Sequence, residues 1–420
     1  MDEANIKKIK PFAKELREHL LSCIMPFWEN RCLDREYGGY LTCFDREGRL
    51  TDDSKYIWFQ GRQLYTYARL FNTIEARPAW LEHAKWGYDF LVKHAYAGKG
   101  RWHFKLDRSG KVIVSTTSIY SDYHMAQGLA EYMLATGMKD EKGMQILRET
   151  YETLERNTTD PEFKEIYENT WSPVFIWNDM YLTALNAACI TTPVLGAQHT
   201  QSLTNECASK IMDWFARDEY QLVFEAVTRD NKVLLEEAGR FINPGHSFES
   251  AWFLLEAAEI SGNSRMAERG LQIIDWTYRV AWDKANGGIY SYLNAEGGEP
   301  QPLDWHKETN SLWNDKVWWV NCEALCAFAK AFAQSADEKY LVMLERQWHF
   351  CKEKFYDPEF GEWYERLHPD GSVKVSDKGT PWKCAFHLAR SLIMAITSIE
   401  FAAEPEGRGL PPVQVTKRHG

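Results

Sequence analysis

No stretch of the 420 residues is apolar for long enough to span a bilayer, and the first ten, Met1 to Lys10, are polar, so neither an anchor nor a secretory signal is expected. Basic charge is scarce. Lys and Arg number 49 against 60 Asp and Glu, and the net charge of −11 excludes a phosphate-tracking nucleic-acid surface and adhesion to anionic lipid. The nine cysteines, an odd number, are scattered without a CxxC pair; Cys322 and Cys326 share a helical face but have no companion ligands nearby. Reduced thiols follow, with a cytoplasmic location, and the sequon at Asn157 carries little meaning there. There is no GxxxxGK[ST] loop, no GxGxxG after a strand and no HExxH. His246 with Glu249 and Glu345 with His349 stand at helical spacing, but two ligands fall short of the three or four that a bound zinc wants. The chemistry is therefore expected to need no metal and no redox cofactor.

Apolar and aromatic residues, by contrast, are plentiful. The 18 Trp, 20 Tyr and 21 Phe exceed what a core needs, so most pack between helices and a minority can line a pocket for flat sugar faces. Apolar periodicity predicts twelve helices, near 6–28, 56–76, 78–96, 115–137, 141–156, 171–190, 198–217, 244–262, 264–282, 312–334, 336–355 and 381–401. Asn243-Pro244 and Thr380-Pro381 each read as an N-cap with proline at the first helical position, where its missing N–H has no intrahelical acceptor to lose.

A second pattern recurs between helices. Asp34-Arg35-Glu36-Tyr37-Gly38-Gly39 leads to Gly48, Asp283-Lys284-Ala285-Asn286-Gly287-Gly288 to Gly297, and Asp357-Pro358-Glu359-Phe360-Gly361-Glu362 to Gly371. Each ends in a turn tripeptide, which predicts a small β-hairpin after a helix, and Trp102 to Gly110 is a looser fourth copy. Repeated helix–hairpin–helix units without a strand-rich region predict stacked helical pairs, and six pairs can close on themselves. The expected fold is all-α, an (α/α)6 toroid of twelve helices with hairpins at one mouth. No linker divides the chain, so one domain is expected over 1–401, followed by a disordered tail over 402–420.

Four stretches could carry chemistry. In Asn243 to Trp252, His246 falls in the first turn of a helix, with Glu249 one turn on. The positive end of the helix dipole would keep that imidazole neutral, although a capping-region surface histidine fits as well. In Thr380 to Arg390, His387 lies between Phe386 and Leu388 beside Lys383 and Arg390. Those cations would depress its pKa, while its apolar neighbours also suit an ordinary core histidine. In Tyr56 to Gln63, Trp58 and Arg62 are four apart; the guanidinium could bind a carbonyl or enolate oxygen bidentately, or form an inter-helix ion pair. In Lys316 to Glu323, Lys316, Trp319 and Glu323 lie along one predicted helical stripe, and a glutamate among aromatics requires a partner.

With Tyr56 to Gln63, Asn243 to Trp252, Lys316 to Glu323 and Lys378 to Arg390 standing in this order along the chain, the sequence resembles the N-acylglucosamine 2-epimerase (renin-binding protein) family from about Phe27 to Glu400. The resemblance implies an (α/α)6 barrel that inverts C2 of a free sugar, interconverting N-acetylglucosamine and N-acetylmannosamine. It places the two catalytic histidines on His246 and His387, the pocket arginine on Arg62 and the carboxylates on Glu249 and Glu323. Trp58, Trp319 and Trp382, which stand in the same motifs, are the expected substrate-binding indoles. It further implies a homodimer, and ATP as an allosteric activator rather than a substrate. The family's disaccharide epimerases and mannose isomerases carry a histidine on the sixth helix, where this chain has Trp177-Asn178-Asp179-Met180-Tyr181, which favours the acylamino-sugar branch. Three rivals stand beside this reading. An aldose–ketose isomerase acting on mannose would use the same scaffold. A glycoside hydrolase would use Glu249 and Glu323 as acid and base and leave the histidines unexplained. A non-catalytic binding protein would have no need of intact Arg62, His246, Glu323 and His387.

Overall fold

The computed structural model describes residues 3–160, 174–235, 238–300 and 312–403. Among these residues, helices dominate and strands are two or three residues long. The helices are α1 (Glu3–His19, running on through a π-turn, Leu20–Ile24, into Met25–Glu29), α2 (Ile57–Thr73), α3 (Pro78–His94), α4 (Ile119–Ala135), α5 (Glu141–Thr159) and α6 (Asn178–Leu195). They continue with α7 (Ala197–Lys210), α8 (Pro244–Ser261), α9 (Ser264–Ala281), α10 (Trp318–Ser335), α11 (Glu338–Lys354) and α12 (Phe386–Ala402). The predicted segments thus match one for one. The expected tail, from 404 onward, and the first residues of the segment predicted at 171–190 lie outside the described residues.

The described residues fall into two compact units, one within 1–169, 186–203 and 378–420, the other within 170–185 and 204–377. In the first, α2 packs on α3, α4 and α12, with α1 against α12 and α5 against α4; in the second, α8 packs on α9 and α10, and α10 on α11. The helices divide by sequence. Those such as α4, α8, α10 and α12 are buried almost throughout, their polar side chains included, whereas α3, α9 and α11 bury one stripe. All nine cysteines are free and eight are buried, as reduced thiols would be.

Helix starts follow local chemistry. Asn243 accepts the N–H of His246 and Pro244 opens α8, as the sequence predicts, and Gly262 closes it in a left-handed conformation. The helix predicted from Pro381 instead starts at Phe386. Thr380 and Lys383 exchange backbone hydrogen bonds, and the Thr380 hydroxyl accepts from the N–H groups of Trp382 and Lys383. Those donors are consumed in a turn, so proline there shapes a loop rather than a helix. Similarly, Lys316 is not on the α10 stripe: Lys316–Val317 pairs as a strand with Arg366–Leu367, and the helix begins at Trp318.

The three Asp repeats form closed loops, and a hairpin follows two of them. Each aspartate accepts the N–H groups two and three residues on, while its carbonyl accepts from Gly38, Gly287 or Gly361. Hairpins follow in the first and third copies (Cys43–Phe44 with Leu50–Asp52, Arg366–Leu367 with Val373–Val375) and in the fourth (Lys105–Leu106 with Val112–Val114). In the second copy, Leu293–Asn294 pairs with Phe241–Ile242 instead. Two of these loops also hold a buried lysine. Asp34 binds Lys55 and Asp283 binds Lys316, both at 2.9 Å, with Lys55 over the Phe90 ring and Lys316 over the Tyr290 ring. Burial alone would raise the Asp283 carboxyl, but Lys316 and the loop N–H groups outweigh it and hold it at about 2.

Replacing Lys316 by Met keeps the apolar stem and strands the buried carboxylate, which should cost about 3–5 kcal/mol in urea unfolding at neutral pH. Because the Asp283 pKa is depressed on folding, this contribution is present above the ordinary carboxylate range and disappears as pH falls towards about 2, so the two unfolding curves should converge in acid. A loss below about 1 kcal/mol at neutral pH would show the pair to behave as a surface ion pair.

Candidate active site

His246 owes its position to short strands. Phe175–Trp177 pairs with Ala226–Thr228, the Asn178 N–H donates to the carbonyl of Glu225, and the Glu225 N–H donates to the carbonyl of Phe241. Glu225 is therefore held on both sides by backbone, and two residues after Phe241 the Asn243 cap starts α8. The consequence is a contact at 2.8 Å between His246 Nδ1 and Glu225 Oε1. Glu225 is 5 % exposed.

This carboxylate decides the histidine's protonation. Burial pushes the imidazole down, but Glu225, with smaller contributions from Glu249 and Asp179, carries it up to about 9. Burial likewise raises Glu225 above the usual carboxylate value against the pull of His246. One proton is thus held tightly on the Nδ1–Glu225 axis, and Nε2 is the nitrogen left to exchange a proton elsewhere. The neutral imidazole expected from the helix dipole is overturned, because a full charge at hydrogen-bond distance outweighs the partial charge of a helix end.

The same unit gathers three more expected residues. Glu249 is buried on α8 one turn after His246. Glu323, fully buried on α10, accepts the indole N–H of Trp252 at 2.9 Å, so tryptophan supplies one of the partners its burial demands. Trp319 packs on the His246 ring with centroids 5.3 Å apart. Gly245 permits that approach, since a Cβ there would lie 2.3 Å from the Trp319 ring.

The other unit gathers Arg62, Trp58, Trp382 and His387. The Arg62 guanidinium lies over the rings of Trp58 at 5.3 Å, Phe59 at 5.5 Å and Phe386 at 5.0 Å. Trp58 meets Trp382 edge-on at 5.7 Å, and Trp382 is 70 % exposed, an indole with a free face. His387 is buried in the first turn of α12. Arg390, one turn on, stacks on Phe386 at 4.4 Å, and Lys383, before the helix, donates to the carbonyl of Lys378. Two partners of the expected residues were not singled out from the sequence. Glu225, a lone carboxylate inside Leu222-Val223-Phe224-Glu225-Ala226-Val227, carried the signal of a buried charge needing a cation. His124 on α4 accepts from Arg62 Nε at 3.1 Å.

In one unit an imidazole bound to a carboxylate is equipped to move a proton; in the other an arginine stacked on Trp58, Phe59 and Phe386 is equipped to hold an anionic oxygen. A family model for N-acylglucosamine 2-epimerase (GlcNAc 2-epimerase) matches residues 39–391. The N-acylglucosamine 2-epimerase of Mus musculus is 30% identical over 404 residues, spanning 91% of this chain and 90% of that one. The cellobiose 2-epimerase of Ruminococcus albus is 24% identical over 404 residues, spanning 91% and 98%. The solved structure of cellobiose 2-epimerase from Spirochaeta thermophila gives a TM-score of 0.80 at 21% identity, covering 95% of this chain and 99% of that one. The chain belongs to the N-acylglucosamine 2-epimerase family. Its fold class is (α/α)6, as expected, and membership makes it an enzyme of the isomerase class.

The Glu225–His246 pair can be tested without substrate. In an NMR titration the His246 Cε1–H signal should move with a midpoint near 9 in the wild type. In Glu225→Gln the carboxylate is gone and burial dominates, so the midpoint should fall well below the wild-type value. An unchanged midpoint would show that Glu225 does not set the charge of His246.

Proposed function

We propose that this chain is an N-acyl-D-glucosamine 2-epimerase, interconverting N-acetylglucosamine and N-acetylmannosamine, with His246 and His387 as its two proton-transfer residues. The observation that carries this reading is the Glu225–His246 pair, which equips a residue singled out by the family resemblance as an acid–base group. The hydrogen on C2 becomes acidic once the sugar ring opens to the aldehyde. One histidine takes that proton, and the electron pair left on C2 delocalises onto the C1 oxygen as an enolate. Arg62 stabilises that oxygen, as its planar fork of donors suits it to do. The other histidine then protonates C2 from the opposite face, giving the epimer, and both imidazoles regain their starting protonation by proton exchange with solvent. Glu249 and Glu323 hold sugar hydroxyls, and Trp58, Trp319 and Trp382 supply stacking faces.

Two observations support the acylamino-sugar substrate over mannose or a disaccharide. The relative named as an N-acylglucosamine 2-epimerase shares 30% identity and the one named as a cellobiose 2-epimerase 24%. The first turn of α6 carries Asn178 and Asp179 and no histidine, with Asn178 bound to Ser250 of α8. We further propose a homodimer in the cytoplasm that uses no metal or redox cofactor and responds to ATP as an activator rather than as a substrate.

Incubating the protein with N-acetylglucosamine, N-acetylmannosamine, mannose and cellobiose, with and without EDTA, and reading the products by NMR tests this reading. The expected result is interconversion of the first two, equal in both conditions. Faster conversion of mannose to fructose would assign it to the isomerases, and loss of activity in EDTA restored by a divalent metal would end the metal-free mechanism.

A further inference from the structure

The close approach of α2 and α4 creates a second, buried proton-locked group. A Cβ on Gly61 would lie 2.7 Å from the backbone carbonyl of His124, and one on Gly128 would lie 2.6 Å from the carbonyl oxygen of Gly61. Only at this separation do the two residues that flank the crossing, Arg62 and His124, meet through their side chains, Arg62 Nε to His124 Nε2 at 3.1 Å.

The contact continues inward as a chain. His124 Nδ1 lies 2.9 Å from Gln127 Oε1, Gln127 Nε2 lies 2.8 Å from Asn186 Oδ1, and Arg390 Nη1 lies 3.4 Å from the same oxygen. Both ends of the chain are guanidinium groups, which donate and never accept, so the protons have one consistent arrangement. Arg62 donates to Nε2, which must carry a lone pair. Nδ1 therefore carries the hydrogen and donates to Gln127, whose amide donates in turn to Asn186, where Arg390 donates as well. His124, Gln127 and Asn186 are at most 3 % exposed, so water does not substitute for these partners. An imidazolium here would face Arg62 donor to donor. Burial and the neighbouring Arg62, Arg390 and His387 all push His124 well below the ordinary imidazole range, in keeping with the neutral tautomer that the hydrogen bonds require.

We propose that His124 is a positioning residue for Arg62: an imidazole whose tautomer is fixed by Gln127 and which, by accepting from Nε, fixes the orientation of the guanidinium. This rests on the proposed function of Arg62. Without the acceptor, the arginine could pivot about its stem, still stacked on Trp58 and Phe386 but no longer in register with the developing charge. A displacement of about 1 Å in such a group lowers turnover by about 10²-fold while leaving substrate binding largely intact.

The test compares His124→Leu, which removes the acceptor, with His124→Gln, whose side-chain oxygen can still accept from Arg62. In the leucine variant kcat should fall by about 10²-fold with little change in KM, and glutamine should recover most of that loss. On an Arg62→Lys background, which lacks the Nε–H, the leucine substitution should cost far less than in the wild type. An equal cost on both backgrounds, or wild-type kcat in the leucine variant, overturns the proposal. A second readout uses no sugar. In protein labelled with 15N-arginine, the Arg62 Nε–H should exchange slowly with solvent in the wild type and glutamine variant and fast in the leucine variant. Fast exchange in the wild type overturns the contact itself. If the wild type leaves every sugar unchanged, the proposed reaction fails while this exchange measurement still decides the inference.

Discussion

Burial between helices, with only short strands beside them, sets the terms for the enclosed polar groups among the described residues. Helices such as α4, α8, α10 and α12 are enclosed on nearly every side, and the residues with chemical potential stand on or beside them. A charge there cannot rely on water, so its nearest neighbour decides whether it exists at all. Two histidines illustrate the two outcomes. His246 has a carboxylate at 2.8 Å and is driven towards the charged form; His124 has a guanidinium at 3.1 Å and is driven away from it. Identical side chains are thereby given opposite proton affinities, one suited to exchanging a proton and the other to staying out of the exchange.

The same constraint explains the loops. A buried lysine such as Lys55 or Lys316 is tolerable only with a fixed anion, and the Asp repeats provide one whose carboxylate is already oriented by backbone N–H groups. The aspartate does two things at once: it closes a loop and receives a cation from a strand that leads into the next helix. The repeat in the sequence is thus the visible part of a device that ties a loop to the strand leading into a helix.

Much of the fold was legible because helical periodicity and caps are local properties. Asn243-Pro244 marked the start of α8 because the cap bond runs to a residue three positions on. Thr380-Pro381 misled because the same residue types also make a turn, and the choice between them depended on Lys383, whose side chain is held by Lys378. The expected site residues gather within each unit as far as contacts there extend: Trp58, Arg62 and Trp382 in one, His246, Glu249, Glu323 and Trp319 in the other. Their partners were not legible. Glu225 reaches His246 across 21 positions and His124 reaches Arg62 across 62, through strand pairing and a helix crossing that no local pattern encodes. For that reason the charge state of His246 was misjudged: the dipole is visible in sequence, the carboxylate partner is not.

The proposal that His246 and His387 each serve one face of C2 is tested most directly by isotope exchange in heavy water. Wild-type product should carry deuterium at C2, because imidazole protons exchange with solvent before delivery. Alanine at either histidine should lower epimerisation by about 10²–10⁴-fold, the usual loss for a general acid or base. The surviving histidine can still remove and return a proton on its own side, so each variant should slowly label one epimer, and the two variants should label opposite epimers. Labelling of the same epimer by both, or epimerisation at the wild-type rate in either, would contradict the account.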